Sequence, residues 1–174
     1  MAVREILTSE HPVLRARAQR VRAVTPEIQA LIDDMVETMR AAPGVGLAAP
    51  QVGVGQRVIV VEYAEPPDDP QAEPGPPRLY AVVNPEIVRR SADTEVGNEA
   101  CLSIPGYFGA VERAQSVTVK GLNRQGDPLR LKAEGWLARI FQHEIDHLDG
   151  VLYIDRAGEI WRAEPGEIGA AAAD

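Results

Sequence analysis

The sequence predicts an α+β fold. Three observations carry that expectation: a capped amphipathic helix near the N-terminus, a series of short β-branched segments through the middle of the chain, and a second helix that follows them.

The first helix is expected from Thr25 to Arg40. Thr25 suits the N-cap, and Pro26 falls at the first helical position, where its missing N–H costs nothing. Ile28, Leu31, Ile32, Met35, Val36 and Met39 recur at helical spacing, with Asp33, Asp34 and Glu37 on the opposite side. Pro43 and Gly44 end the helix. Arg57 to Glu62 is rich in β-branched residues and reads as a buried strand. From Ala64 to Arg78 come six prolines and four acids, a composition expected to form a mobile excursion rather than to pack. Leu79 to Val83 resumes as a strand, and short strands follow around Val88, at Glu95 to Leu102 and at Ser116 to Leu122. Asn123 to Gly126 forms a turn, and Leu129 to Ala133 is the returning strand of that hairpin. The second helix runs from Gly135 to Leu148, with Gly150 placed to stop it. Glu164 to Asp174 has little apolar periodicity and reads as helical or frayed. No repeat or boundary interrupts residues 1–174, so one domain is expected, with 157–174 as a short tail.

Composition narrows the function classes. The single cysteine, Cys101, excludes an internal disulfide framework and favours a reducing, cytoplasmic setting. The first residues hold no apolar stretch of leader length, and the longest aliphatic run, Val58 to Val61, is far too short to cross a bilayer. A net charge of −8 and a pI near 4.9 argue against general affinity for phosphate backbones, and no DNA partner is expected. Arg15, Arg17, Arg20 and Arg22 read first as ordinary solvated arginines, with long-range attraction to a phosphate-bearing surface such as the ribosome as the alternative.

The strongest local signal is His143-Glu144-Ile145-Asp146-His147 within the second helix. Four residues of helix turn about 400° and rise roughly 6 Å, so both imidazoles leave one face and can grip one metal ion. Glu144 lies beside them, within reach of a water on that ion. A hydrolytic metal site needs a third protein ligand and an open position. Glu159 and Glu164 lie downstream, but nothing around them frames a site. Upstream stands Cys101, the best soft ligand in the chain, although a lone cysteine is more often a small buried hydrophobe. A third segment, Gly44 to Gln51, sets two glycines among small residues and permits close backbone approach, for packing or for a ligand.

In this order the three segments closely resemble those of the peptide deformylases. The family pattern is Gly-x-Gly-x-Ala-Ala-x-Gln, then Glu-Gly-Cys-x-Ser, then Gln-His-Glu-x-x-His on a helix. This chain has Gly44 through Gln51, Glu99 through Ser103 and Gln142 through His147. His11 to Arg15 and Gly150 to Tyr153 also look like the family's, so the resemblance covers about residues 1–156. One departure stands out: Ala100 occupies the usual glycine position of the second motif.

The resemblance implies antiparallel or mixed sheets packed around a central metal-binding helix. It implies that Cys101, His143 and His147 hold one divalent ion, Fe²⁺ in the cell, with Zn²⁺, Ni²⁺ or Co²⁺ able to replace it. Glu144 would act as general base and acid, and the Gln51 amide and Leu102 N–H would donate to the formyl oxygen. Gly44, Val45 and Gly46 would bind the peptide backbone. Val45 and Leu102 would join the second helix in an apolar pocket for methionine, and Glu99 would pair with Arg113. The implied activity is removal of the formyl group from N-formyl-methionyl nascent peptides, with transient ribosome association as a further expectation. Some members carry a basic C-terminal helix that docks on ribosomal RNA. Here the chain after Tyr153 has Arg156 and Arg162 against Asp155, Glu159, Glu164, Glu167 and Asp174, with Pro165 and Gly166 interrupting any helix, so the tail is not expected to serve as that anchor. A zinc peptidase, or a metal-binding paralogue without activity, stays open beside this reading.

Overall fold

The computed structural model describes residues 1–165; the expected tail lies outside them beyond Pro165. Helix α1 spans Pro26–Ala41, capped as its sequence predicts: the Thr25 hydroxyl accepts from the Ile28 N–H, with Pro26 in the first turn. After a tight turn comes strand β1, Gly46–Ala48, and then β2, Val58–Tyr63. Residues 64–77 follow an irregular, mostly exposed path to β3, Arg78–Arg90. Then follow β4 (Thr94–Cys101), β5 (Ile104–Ala114), β6 (Ser116–Leu122) and β7 (Pro128–Glu134). Helix α2 is Gly135–Leu148, α3 is the single turn Tyr153–Arg156, and β8 is Glu159–Arg162.

The strands form two sheets, one of five in the order β1-β2-β3-β6-β7 and one of three in the order β4-β5-β8. Every pairing between these strands is antiparallel. The run Val58 to Val61 explains the layering. Val58 and Val60 pack toward α1 with Ile32, Met35 and Met39, while Ile59 and Val61 point the other way, toward Phe141 and Ile140 of α2. A strand covered on both faces needs apolar residues at consecutive positions, and this one has them. Helix α2 lies between the two sheets, and each residue from Leu137 to Leu148 is buried.

Two expectations need correction. The segments at Leu79 to Val83 and around Val88 are one strand, β3, interrupted by a register shift between Val83 and Glu86. Asn84 absorbs the irregularity at φ +53, and its side chain exchanges both hydrogen bonds with the Val21 backbone at 2.8 Å. The second correction is β5, which the residue pattern did not suggest because Pro105, Gly106 and Gly109 break its alternation. Its backbone is satisfied by neighbours on both sides, and the Tyr153 ring fills the space above Gly109, where a Cβ would stand 2.9 Å from Cε2. Helix α2 starts and stops where expected. Gly150 ends it at φ +75, with the Arg15 carbonyl so close that a Cβ would be 2.6 Å from it.

Candidate active site

Helix α2 presents His143 and His147 one turn apart, with ring centroids 5.1 Å apart at 69°. Cys101 ends β4 beneath them, its Sγ 3.4 Å from Nε2 of His147. Ligand atoms of the three side chains all lie within 4.8 Å of one another, and all three residues are buried. Two residues before Cys101, Glu99 accepts from Nδ1 of His143 at 2.9 Å. A carboxylate at Nδ1 holds that proton in place and turns the Nε2 lone pair toward the other two groups. A buried thiol with two imidazoles so oriented is a donor set that could hold a divalent metal ion.

Glu99 is fully buried. Burial alone would raise its pKa, yet hydrogen bonds from Arg113 and His143, with the guanidinium charge of Arg113, hold it down at about 2. Arg113 donates through Nε at 2.9 Å and Nη2 at 2.8 Å, so the pairing expected from the sequence is present. Arg113 loses solvent too, but Glu99 and Asp146 outweigh that and raise its pKa.

The glycine-bearing segment converges on the same place. Gln51 is buried in a short 3₁₀ turn after β1; its Oε1 accepts from the Ala48 N–H at 2.9 Å. Its Nε2 lies 3.1 Å from the Ser103 hydroxyl and 3.6 Å from Cys101 Sγ. Gly46 stands against Glu144: a Cβ there would be 2.5 Å from the carboxylate Oε1. The close approach that glycine permits is therefore made by a side chain of α2. Val45 packs on the core that contains Phe141 and Ile145, and Gly44 closes the end of α1 through its N–H to the Met39 carbonyl. Leu102, Cys101 and Ala100 line an apolar cavity of about 310 Å³ with Pro43, Ile104 and Tyr107. Val45 and α2 do not line it. Ala100 sits where the β4–β5 register shifts, and among the described residues its φ is not positive, so the backbone there does not demand glycine.

A polypeptide deformylase family model matches residues 3–162. The chain is 48% identical over 162 residues to the peptide deformylase of Desulforudis audaxviator, covering 93% of this chain and 98% of that one. The crystal structure of the Ehrlichia chaffeensis peptide deformylase in complex with actinonin superposes with a TM-score of 0.82 at 40% identity, covering 91% of each chain. A Met-Ala-Ser-bound peptide deformylase from Acinetobacter baumannii gives 0.80 at 37% identity, over 89% of this chain and 98% of that one.

This chain belongs to the polypeptide deformylase family. It is an enzyme of that kind, and the three motifs of the deformylases meet at one buried point.

Other residues of this deformylase site escaped the sequence reading. Arg139 donates to Glu99 Oε2 at 2.6 Å. Asp146, inside the helix motif, accepts from Arg113 at 2.6 Å and from Arg156 at 2.6 and 3.0 Å. Tyr153 stacks on His143 with centroids 6.0 Å apart. A signal for the first two exists in the sequence. Arg139, Gln142, His143, Asp146 and His147 recur at helical steps of three and four, so whatever buries the histidines buries the others.

Proposed function

We propose that this deformylase hydrolyses the formyl amide of N-formyl-methionyl peptides and releases formate. The observation that carries the reading is the convergence of Cys101, His143 and His147 beside Glu144 and Gln51. We infer that the first three hold one divalent ion, Fe²⁺ in the cell and replaceable by Zn²⁺, Ni²⁺ or Co²⁺. When bound, that ion supplies Lewis acidity that makes water easier to deprotonate.

Glu144 then acts as base and acid in turn. Its carboxylate takes a proton from the attacking water; oxygen bonds to the formyl carbon and the C–N bond breaks. The proton returns to the departing amine, so one water is consumed and formate and a free N-terminus result. Gln51 Nε2, already a donor beside Cys101 Sγ, and the Leu102 N–H are suited to the negative charge that develops on the formyl oxygen. Among the described residues β1 lies at the edge of its sheet, paired only with β2, and Gly44 and Val45 lead into it. An extended peptide adding along Gly44, Val45 and Gly46 would suit that free edge. The Met-Ala-Ser complex of the Acinetobacter relative supports a peptide of this class. We take the chain as one catalytic unit working in the cytoplasm. No helix among the described residues is long and apolar enough to cross a membrane.

The decisive experiment uses anaerobically purified protein and formyl-Met-Ala-Ser, with formate and metal content measured together. Formate should appear in equal amount to Met-Ala-Ser, disappear on chelation and return with Fe²⁺. Metal-loaded protein that yields no formate would overturn the reading.

For transient ribosome association we propose a surface other than the tail. The chain's two lysines, Lys120 and Lys132, stand on neighbouring strands β6 and β7. Lys120 is in register with Arg130, and Lys132 with Thr118, which faces Arg89. These four cations are exposed, with Glu86 the acid paired to Lys120 at 3.7 Å. Such a face attracts a phosphate backbone even on a chain of net charge −8. Reversing Lys120, Arg130 and Lys132 to Glu should reduce co-sedimentation with ribosomes at low salt and leave peptide turnover unchanged. Truncation after Glu164 should leave both intact; loss of binding on truncation would restore the tail as anchor.

A further inference from the structure

Arg139 lies one helical turn before His143 and is 5% exposed. Its Nη1 donates to Glu99 Oε2 at 2.6 Å and to the Val111 carbonyl at 2.9 Å, and its Nη2 to the Glu95 carbonyl at 2.8 Å. One guanidinium thus ties helix α2 to both β4 and β5. It can do so because β4 carries Gly97 at the rung opposite Val111. A Cβ on Gly97 would stand 2.7 Å from the guanidinium carbon and 2.9 Å from two of its nitrogens. The missing side chain is the seat of the arginine.

We propose that Arg139, seated over Gly97, is a positioning residue for the metal-ligand pair: it holds the Glu99 carboxylate against Nδ1 of His143 and thereby fixes the ring that faces Cys101. The inference rests on reading Cys101, His143 and His147 as ligands. An ionised carboxylate offers roughly four acceptor directions. Glu99 fills them all: Oε1 accepts from Arg113 Nη2 and His143 Nδ1, and Oε2 from Arg113 Nε and Arg139 Nη1. With Arg139 gone, Oε2 loses a donor in a site closed to water, and the carboxylate is free to turn toward Arg113. The proton on His143 then loses its fixed acceptor, and both the direction and the basicity of the ligand lone pair change. Lysine could reach one carboxylate oxygen but lacks the fork that spans the two carbonyls as well.

The test uses the full chain loaded with Co²⁺, whose thiolate absorption reports the ligand geometry. The rate of metal loss to excess chelator is read beside the thermal midpoint of the metal-free protein. R139M should lose metal on the order of 10–100-fold faster than the parent and shift the cobalt bands, as removal of a group behind a ligand does. R139K should fall between the two. G97A should resemble R139M, because its methyl displaces the guanidinium. In the R139M background it should add no more than about threefold, since the two changes remove one interaction. G97A keeps every donor in the chain and carries the test should R139M not fold. Variants that melt earlier yet match the parent in metal-loss rate and spectrum would overturn the proposal and leave Arg139 a structural clamp. A parent without a cobalt–thiolate band would overturn the ligand reading itself, and this inference with it.

Discussion

Helices α1 and α2 bury stripes of the same spacing and opposite chemistry. On α1 the stripe is Ile28, Leu31, Ile32, Met35, Val36 and Met39, and the helix keeps its charges at the surface. Asp33 there meets Arg124, Asp34 meets Arg4, and Arg40 meets Glu62. On α2 the residues at 139, 142, 143, 146 and 147 recur at the same steps of three and four, and each is polar and buried. The apolar stripe is stabilised by removal from water, roughly 1.5–3 kcal/mol for each large side chain, and any well-fitting hydrophobe serves. The polar stripe gains little from burial itself. It persists because each group has a named partner: Arg139 and His143 share Glu99, Asp146 takes Arg113 and Arg156, Gln142 bonds the Ala114 backbone, and His147 meets Cys101 Sγ. Such a stripe fixes directions, which a metal site needs and a hydrophobic core does not.

The comparison breaks most visibly at Glu144, which flanks the two histidines on α2 and faces Gly46. Glu144→Gln should keep bound metal and lower turnover by on the order of 10²–10⁴-fold or more, because the amide cannot accept water's proton. Steady-state kinetics beside metal analysis checks it; normal turnover with metal bound would sink the proposed mechanism. Gly46→Ala tests the same carboxylate from the opposite strand. Its methyl must push Glu144 aside, and displacement of about 1 Å commonly costs on the order of 10²-fold. The loss should appear in turnover at unchanged metal content.

On α1 the expected effects change kind. Met35 is fully buried among aliphatic neighbours, and Met35→Ala should cost roughly 2–5 kcal/mol of folding stability through lost burial and the cavity left behind. Denaturant unfolding measures it, and activity per folded molecule should match the parent. A large loss of turnover in the folded fraction would mean that the two helices are coupled through β2 more tightly than their packing suggests.

The smallest effect belongs to Arg40. Its hydrogen bond holds the Glu62 carboxyl below its ordinary value of 4.5, outweighing the partial burial that would raise it. A carboxylate with a lowered folded pKa contributes stability that is present above 4.5 and lost as pH falls through the lower folded value. Arg40→Ala should therefore lower the thermal midpoint slightly near neutrality, and the gap should close on acidification. A gap that widens in acid would contradict the pairing.

Helices α1 and α2, the Thr25 cap, the Gly150 stop and the strands β2, β4, β6 and β7 were legible because each follows from local signals: a hydroxyl before Pro26, a period of three to four, an Asn-Arg-Gln-Gly turn. Strand β5 was not, since Gly109 is explained by Tyr153 and the strand itself by pairing with β8, both far away in sequence. The unity of β3 was hidden for a related reason, because Asn84 resolves its irregularity against Val21.

At the candidate site, the sequence by itself determined the ligand types, the turn that sets His143 beside His147, and, through likeness to a family, the part Cys101 would play. The same likeness implied the Glu99–Arg113 pair, and only the tertiary structure decided the rest of what stands behind them. Glu99 fills its four acceptor directions from Arg113, Arg139 and His143, groups that reach it from 14, 40 and 44 residues away. Gly46 and Gly97 each vacate the space of a side chain for a group on α2. Local propensity speaks only of neighbours along the chain. Which buried charge meets which is decided between groups far apart in sequence, because a charge taken from water is costly unless it finds a partner.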